Sequence, residues 1–170
     1  MRTAAAVMDR SDHPLMGKEG KYLTFSLAEE EYGLEILKVR EIIGMMDITV
    51  VPQMPHFVKG VINLRGKVIP VIDLRLRFDL ESKPYDERTC IIVAEVSDHE
   101  KNIQMGLVVD TVSEVVNVSL EDMEVSPTFG VCVDTHYILG MAKLKGRVKI
   151  LLDIDAVLTD TQRQQVSGLM

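Results

Sequence analysis

Four histidines, two cysteines and a scatter of carboxylates are the residues of this chain that could do chemistry. Acid–base work or metal binding needs such groups at spacings that let them converge. His13, His56, His99 and His136 share no ligand spacing, and Cys90 and Cys132 are too few and too isolated for a zinc site or a disulfide framework. No serine sits in a nucleophile elbow. The glycines at Gly60 and Gly66 lack the Gly-Lys-Ser/Thr of a phosphate loop. Asp73 and Asp153 each end an apolar run, where an aspartate usually makes a turn or a cap. No enzyme activity, cofactor or metal is expected.

Recognition chemistry is better represented. Arg65 lies in Asn63-Leu64-Arg65-Gly66, and an arginine offers a rigid planar fork of donors suited to bidentate recognition. The alternative is a solvated turn arginine. Ile36, Val39 and Ile42 cannot all face one small core, so they line either a groove or the seam between two halves. The methionines, Met45, Met46 and Met54 among them, serve as gap-fillers or as an adaptable contact surface.

The elements that must position these residues come in two copies. Residues 60–74 recur at 140–154, with Gly, Leu, Gly, Val and Asp in matching places and basic residues beside the second glycine. A weaker match relates Gly33, Val39 and Glu41 to Gly106, Val112 and Glu114. The offsets are 80 and 73, so the second copy carries an insertion of seven residues. Such self-similarity indicates two related modules. A module of 60 to 70 residues buries only about 60% of its unfolded surface, which is marginal alone, so the two are expected to share an apolar seam.

Within the first copy, strands are expected over 22–27, 57–64 and 67–74, with Arg65-Gly66 as a tight turn. Between 34 and 43 the apolar positions fit neither period, which predicts a strand broken by one helical turn. Pro52 and Pro55 require a loop, and Pro70 is expected at a bulge or an open edge. The second copy repeats the scheme with strands over 90–96, 137–144 and 147–152 and a short closing helix over 153–158. Two barrels of about five strands each is the simplest arrangement, since closure removes exposed edges.

Composition narrows the partners. Hydrophobic residues make up 46% of the 170, and no apolar run approaches the length that spans a bilayer. A net charge of −7 with no basic stripe disfavours nucleic acid and suits protein partners. Asp9, Arg10 and Asp12 interrupt the opening apolar residues too soon for a signal peptide, so the protein is expected to stay inside the cell.

Residues 31–42 together with 57–75, and above all Lys59-Gly60-Val61-Ile62-Asn63-Leu64-Arg65-Gly66, resemble the CheW-type chemotaxis coupling proteins. The likeness runs from about residue 22 to 158. It implies an all-β fold of two SH3-like five-stranded barrels packed around a shared core, with a short C-terminal helix. The organisation expected is a disordered tail over 1–20, one domain over 21–160 and a frayed terminus over 161–170. The subdomains fall at about 21–80 and 88–155, and whether the opening strand crosses to the opposite barrel is left open. The resemblance also implies an adaptor between a CheA-type histidine kinase, through its regulatory domain, and the cytoplasmic tips of transmembrane chemoreceptors. It carries coupling roles onto Val39, Glu41, Gly60 and Arg65, with Asn63 adjacent, beside the groove at Ile36, Val39 and Ile42. No direct membrane insertion is expected.

Overall fold

Short apolar runs separated by residues that tolerate left-handed backbone leave the chain little choice but strands and tight turns. In the computed structural model, which describes residues 13–98, 101–125 and 136–158 together with 162, 165 and 166, these become eleven strands. The first copy holds β1 (Gly20–Leu27), β2 (Glu30–Glu35), a 3-10 turn at Ile36–Lys38, β3 (Val39–Gly44), β4 (Val58–Leu64), β5 (Lys67–Asp73) and α1 (Leu74–Arg77). The second holds β6 (Cys90–Asp98), β7 (Lys101–Val109), β8 (Thr111–Val118), a 3-10 turn at Leu120–Asp122, β9 (Met123–Glu124), β10 (Ile138–Leu144) and β11 (Arg147–Leu152). The broken strand expected over 34–43 is present as β2, the 3-10 turn and β3.

The copies exchange their first hairpins. One sheet runs β8-β1-β2-β11-β10-β9 and the other β3-β6-β7-β5-β4, so β1 and β2 lie with the second copy's strands, while β6 and β7 lie with the first copy's. The 3-10 turn between β2 and β3 carries the chain from one sheet to the other, and Asp110 makes the same crossing between β7 and β8. Two short parallel ladders seal the exchange, Gly33 opposite Leu151 and Gly106 opposite Val71. A Cβ on either glycine would stand 2.8 Å from a neighbouring methyl, Leu151 Cδ2 or Ile91 Cγ2, so both positions favour a bare backbone. Each sheet then curls closed. Beyond β3 the chain returns Thr49 to Val61 through hydrogen bonds of 2.8 and 2.9 Å, and beyond β8 it returns β9 to β10.

Three cores follow from this topology. Ile62, Ile69, Val71, Ile91, Val93 and Val108 fill the first barrel, and Tyr22, Val118, Leu120, Met123 and Leu151 are among those filling the second. Between the sheets lies the third, built from both copies, with twenty-one buried residues among the described ones against six and seven in the barrels. At roughly 1.5–3 kcal/mol per fully buried aliphatic or aromatic side chain, the shared core outweighs either interior, and neither barrel is expected to hold its shape alone. Strand β5 shows why both of its faces are apolar: Ile69 and Val71 point into the first barrel, while Ile72 joins the shared core.

Three expectations need correction, and one is met in part. Pro70 is not in an edge strand, but its own position is open on one side. It pairs with Val61 in an interior strand, tolerated because the ladder to β7 begins only at Val71. The tail expected over 1–20 does not extend to its end, since residues 13–17 form a turn that buries Leu15 in the second barrel, and residues 1–12 lie outside the described residues. Over 153–158 there is only a single 3-10 turn, Ile154–Ala156, started by the Asp153 cap, and the helical residues described at the C-terminal end are 162, 165 and 166. Within the terminus expected to fray, Val166 is buried in the shared core.

Candidate partner-binding seam

Each barrel is hydrogen-bonded around most of its girth but has a seam where its edge strand faces the tip of a hairpin. In the first barrel that strand is β3 and the hairpin is β4–β5. Arg65 (φ 53°) and Gly66 (φ 86°) both occupy left-handed backbone, as a two-residue type I′ turn demands. Arginine accepts that conformation at a cost of order 1 kcal/mol. Asn63 offsets part of it, since its Oδ1 accepts the Gly66 N–H at 2.8 Å and fastens the turn.

So held, the Arg65 guanidinium reaches across the seam to Glu41 on β3. Nη1 donates to Oε1 at 2.7 Å and Nη2 to Oε2 at 2.6 Å, a parallel fork-to-fork pair. Hydrogen bonding from Arg65 holds the Glu41 carboxyl below the usual carboxylate range, and the charge attraction adds to it. The pair stands in the open, with 70% of the Arg65 side chain exposed, over a cleft of about 450 Å³ that Leu64, Lys67, Ile69 and Gln104 help to line. Arg65 is a clasp as well as a turn residue.

A bulge decides what else lies on β3. Val39 faces Ala94 but Glu41 faces Val93, leaving Arg40 as the extra residue, paired with Glu95. Because directly opposed residues share a face, Val39 and Ile42 (opposite Ile92) point toward the shared core, whereas Glu41 and Ile43 point toward the first barrel. Ile36 and Val39 are half-buried against the shared core, and Ile42 remains 43% exposed. The structure therefore places Ile36, Val39 and Ile42 on one side of β3 and the Glu41–Arg65 clasp on the other. The apolar positions and the charged pair do not rim one groove.

Gly60 stands apart from both. It is buried at a bulge in β4, with φ +143°, and a Cβ there would lie 2.0 Å from the Thr49 carbonyl oxygen. It lets the chain beyond β3 close the barrel and thus positions the hairpin that carries Arg65. Sequence reasoning passed over Leu37, which is 87% exposed at the centre of the 3-10 turn. Its signal was present, since it is the apolar residue at the break in periodicity. The turn is pinned by Lys38, which donates to Asp155 at 3.0 Å, while Asp155 also accepts the Ser97 amide at 2.8 Å.

Below the seam, Asp73 and Asp153 act as caps: Oδ1 accepts from the Arg75 amide at 2.9 Å in one copy and from the Asp155 amide at 3.1 Å in the other. Arg75 forms a second two-pronged pair with Asp110, both bonds 2.7 Å, which ties α1 to the crossing between β7 and β8. Burial alone would raise the Asp110 carboxyl, but the hydrogen bonds from Arg75 and from the Ala28 amide bring it below its ordinary value. Among the described residues no group of three or more His, Cys, Asp or Glu side chains could hold a metal ion. His99 and Cys132 lie outside the described residues. No described helix is long and apolar enough to cross a membrane.

This arrangement of two hairpin-exchanged barrels has close counterparts. A family model described as the CheW-like domain matches residues 21–162. The chain belongs to the CheW family. The chemotaxis protein CheW of Klebsiella aerogenes is 39% identical over 149 residues, covering 88% of this chain and 87% of that protein. That of Thermotoga maritima is 34% identical over 148 residues, covering 84% and 90%. Among solved structures, the scaffolding protein TtCheW from Thermoanaerobacter tengcongensis superposes with a TM-score of 0.74 at 35% identity, over 84% of this chain and 95% of that one. The all-β architecture of two SH3-like barrels is the CheW fold.

Proposed function

We propose that this protein is a cytoplasmic chemotaxis adaptor that couples transmembrane chemoreceptors to a CheA-type histidine kinase. The observation that carries the reading is the edge strand β3 of a CheW-family barrel, which offers two unlike contact faces at once. One face presents the exposed Ile42 above half-buried Val39 and Ile36; the other presents the open Glu41–Arg65 clasp. An apolar stripe of this kind suits the face of a receptor's helical hairpin, and a solvent-facing fork suits a polar contact with a related regulatory barrel. The protein then carries out no reaction. It shifts kinase activity by holding two partners in one geometry, a coupling free energy in the linkage sense.

The test is co-sedimentation with receptor signalling fragments, with and without the kinase. Ile42→Asp and Arg65→Ala suit it best, because both side chains are exposed, whereas Val39→Asp would bury a carboxylate against the shared core. Loss of an interface anchor costs about 2 kcal/mol, or roughly 30-fold in affinity. If both variants sediment with receptor and kinase as the wild type does, β3 is not the coupling surface. Salt-sensitive binding to DNA or RNA would instead support a nucleic-acid module.

A further inference from the structure

The second barrel has a seam of its own at the matching place, and it is built differently. There β8 faces the tip of the β10–β11 hairpin, where Lys145 (φ 54°) and Gly146 (φ 76°) repeat the left-handed turn of Arg65 and Gly66. Glu114 takes the place of Glu41, yet among the described residues neither Glu114 nor Lys145 nor Arg147 has an ion pair. The bulge explains the missing clasp. In β8 it falls between Val112 and Val115, so Glu114 itself is displaced, its amide and carbonyl both bonded to the hydroxyl of the buried Thr24.

The open seam is a cleft of about 440 Å³. Four successive β8 residues, Glu114 to Asn117, line it, whereas β3 gives only Glu41 to the first cleft. Its floor is also charged. Lys149 is buried where the first barrel has Ile69, and it pairs with Glu31, which stands where the first has Gln104. That pair neutralises itself. Lys145 and Arg147 are thus the cations left facing solvent, against one exposed carboxylate, Glu114, with Val115 49% exposed on the opposite wall.

We propose that this cleft is a docking site for an extended, acidic segment of a protein partner. Among the described residues strand β8 ends its sheet and is hydrogen-bonded to β1 alone, so its outer edge can take a further strand. Carboxylates of the segment meet Lys145 and Arg147 across the seam, and alternate apolar residues meet Val115. The first barrel displays the same chemistry satisfied within the chain, an edge-strand carboxylate held by the hairpin's cation. The site lies on the other barrel and does not depend on β3 being the coupling surface.

The probe is a capped peptide of alternating valine and glutamate, titrated into the full-length protein and followed by amide NMR shifts. Shifts are expected along β8 and the β10–β11 hairpin. The double variant Lys145→Glu/Arg147→Glu should bind about tenfold more weakly, two exposed charge contacts being removed and reversed. The charge-matched control Arg88→Glu/Lys101→Glu, at exposed positions outside the cleft, should bind as wild type. Equal binding of a valine–glutamine peptide would overturn the proposal, as would equal weakening in both double variants or no shift at millimolar peptide. Inorganic phosphate reproducing the hairpin shifts while the peptide leaves β8 unmoved would also overturn it, in favour of a small-anion site. Loss of receptor or kinase sedimentation by Ile42→Asp alone would leave this result untouched.

Discussion

Arg65 and Lys145 stand at the same place in matching hairpins, each in left-handed backbone with glycine next, yet Arg65 closes onto its edge strand and Lys145 does not. Below them the first barrel has Ile69 and Gln104, and the second has the buried pair of Lys149 with Glu31. The glycines, the turns and the capping aspartates are common to both copies and build the barrels. The seam residues differ, and they are the ones free to meet partners. A duplicated fold thus separates its scaffold from its contacts: what the copies share is architecture, and what they do not share is open to function.

The comparison can be broken hardest at the bulges. Gly60→Ala places a Cβ against the Thr49 carbonyl in left-handed backbone, and should cost about 3 kcal/mol or more by chemical denaturation. Gly140→Ala meets the movable end of Leu15 at 2.7 Å and the Glu124 carbonyl at 2.9 Å, without the unusual φ, and should cost less, about 1–2 kcal/mol. Equal losses would mean that the two closures are equally strict.

Next is the floor of the second seam. Lys149→Ala strands the Glu31 carboxylate and should cost about 2–3 kcal/mol, somewhat below a fully buried pair because both side chains retain some exposure. Copying the first barrel, with Lys149→Ile and Glu31→Gln together, should recover most of that loss in the same denaturation experiment. A double variant no more stable than Lys149→Ala would show that the ion pair is not replaceable by packing.

Acid distinguishes the clasp. The folded-state value of Glu41 is lowered, so its contribution is complete above the unfolded carboxylate value near 4 and is lost as pH falls through the folded one. The clasp is closed at neutral pH and opens below the ordinary carboxylate range. Carboxyl-carbon NMR should show Glu41 titrating low in the wild type and returning toward the ordinary range in Arg65→Ala. An unchanged Glu41 titration would mean that the pair does not persist in solution.

The smallest effect is at the turns. Lys145→Asn suits type I′ backbone better and should stabilise the second hairpin by about 0.5 kcal/mol. Arg65→Asn gains similarly in the turn but gives up the clasp, so its net change in melting temperature should be the smaller of the two.

Much of this was legible in the residues. The repeat announced two modules, the broken period over 34–43 announced the 3-10 turn, and Asp73 and Asp153 declared themselves as caps because an aspartate ending a strand has an amide two residues on within reach. Arg65 was open to a bidentate reading and to a solvated one, and the structure gives an exposed turn arginine whose fork meets Glu41 of the same chain, a pairing that depends on the position of β3. Val39 and Glu41 illustrate what could not be foreseen. In an unbroken strand they would share a face, and a single bulged residue, Arg40, reverses that parity.

The sequence by itself determined the local features: strands, turns, caps and the duplication, since each depends on residues a few positions apart. Tertiary structure alone decided that the first hairpins change barrels, that Gly60 lies under Thr49, and that one seam is clasped while the other stands open. Those outcomes depend on register between strands far apart in the chain, and a shift of one residue turns a side chain from one face of a sheet to the other.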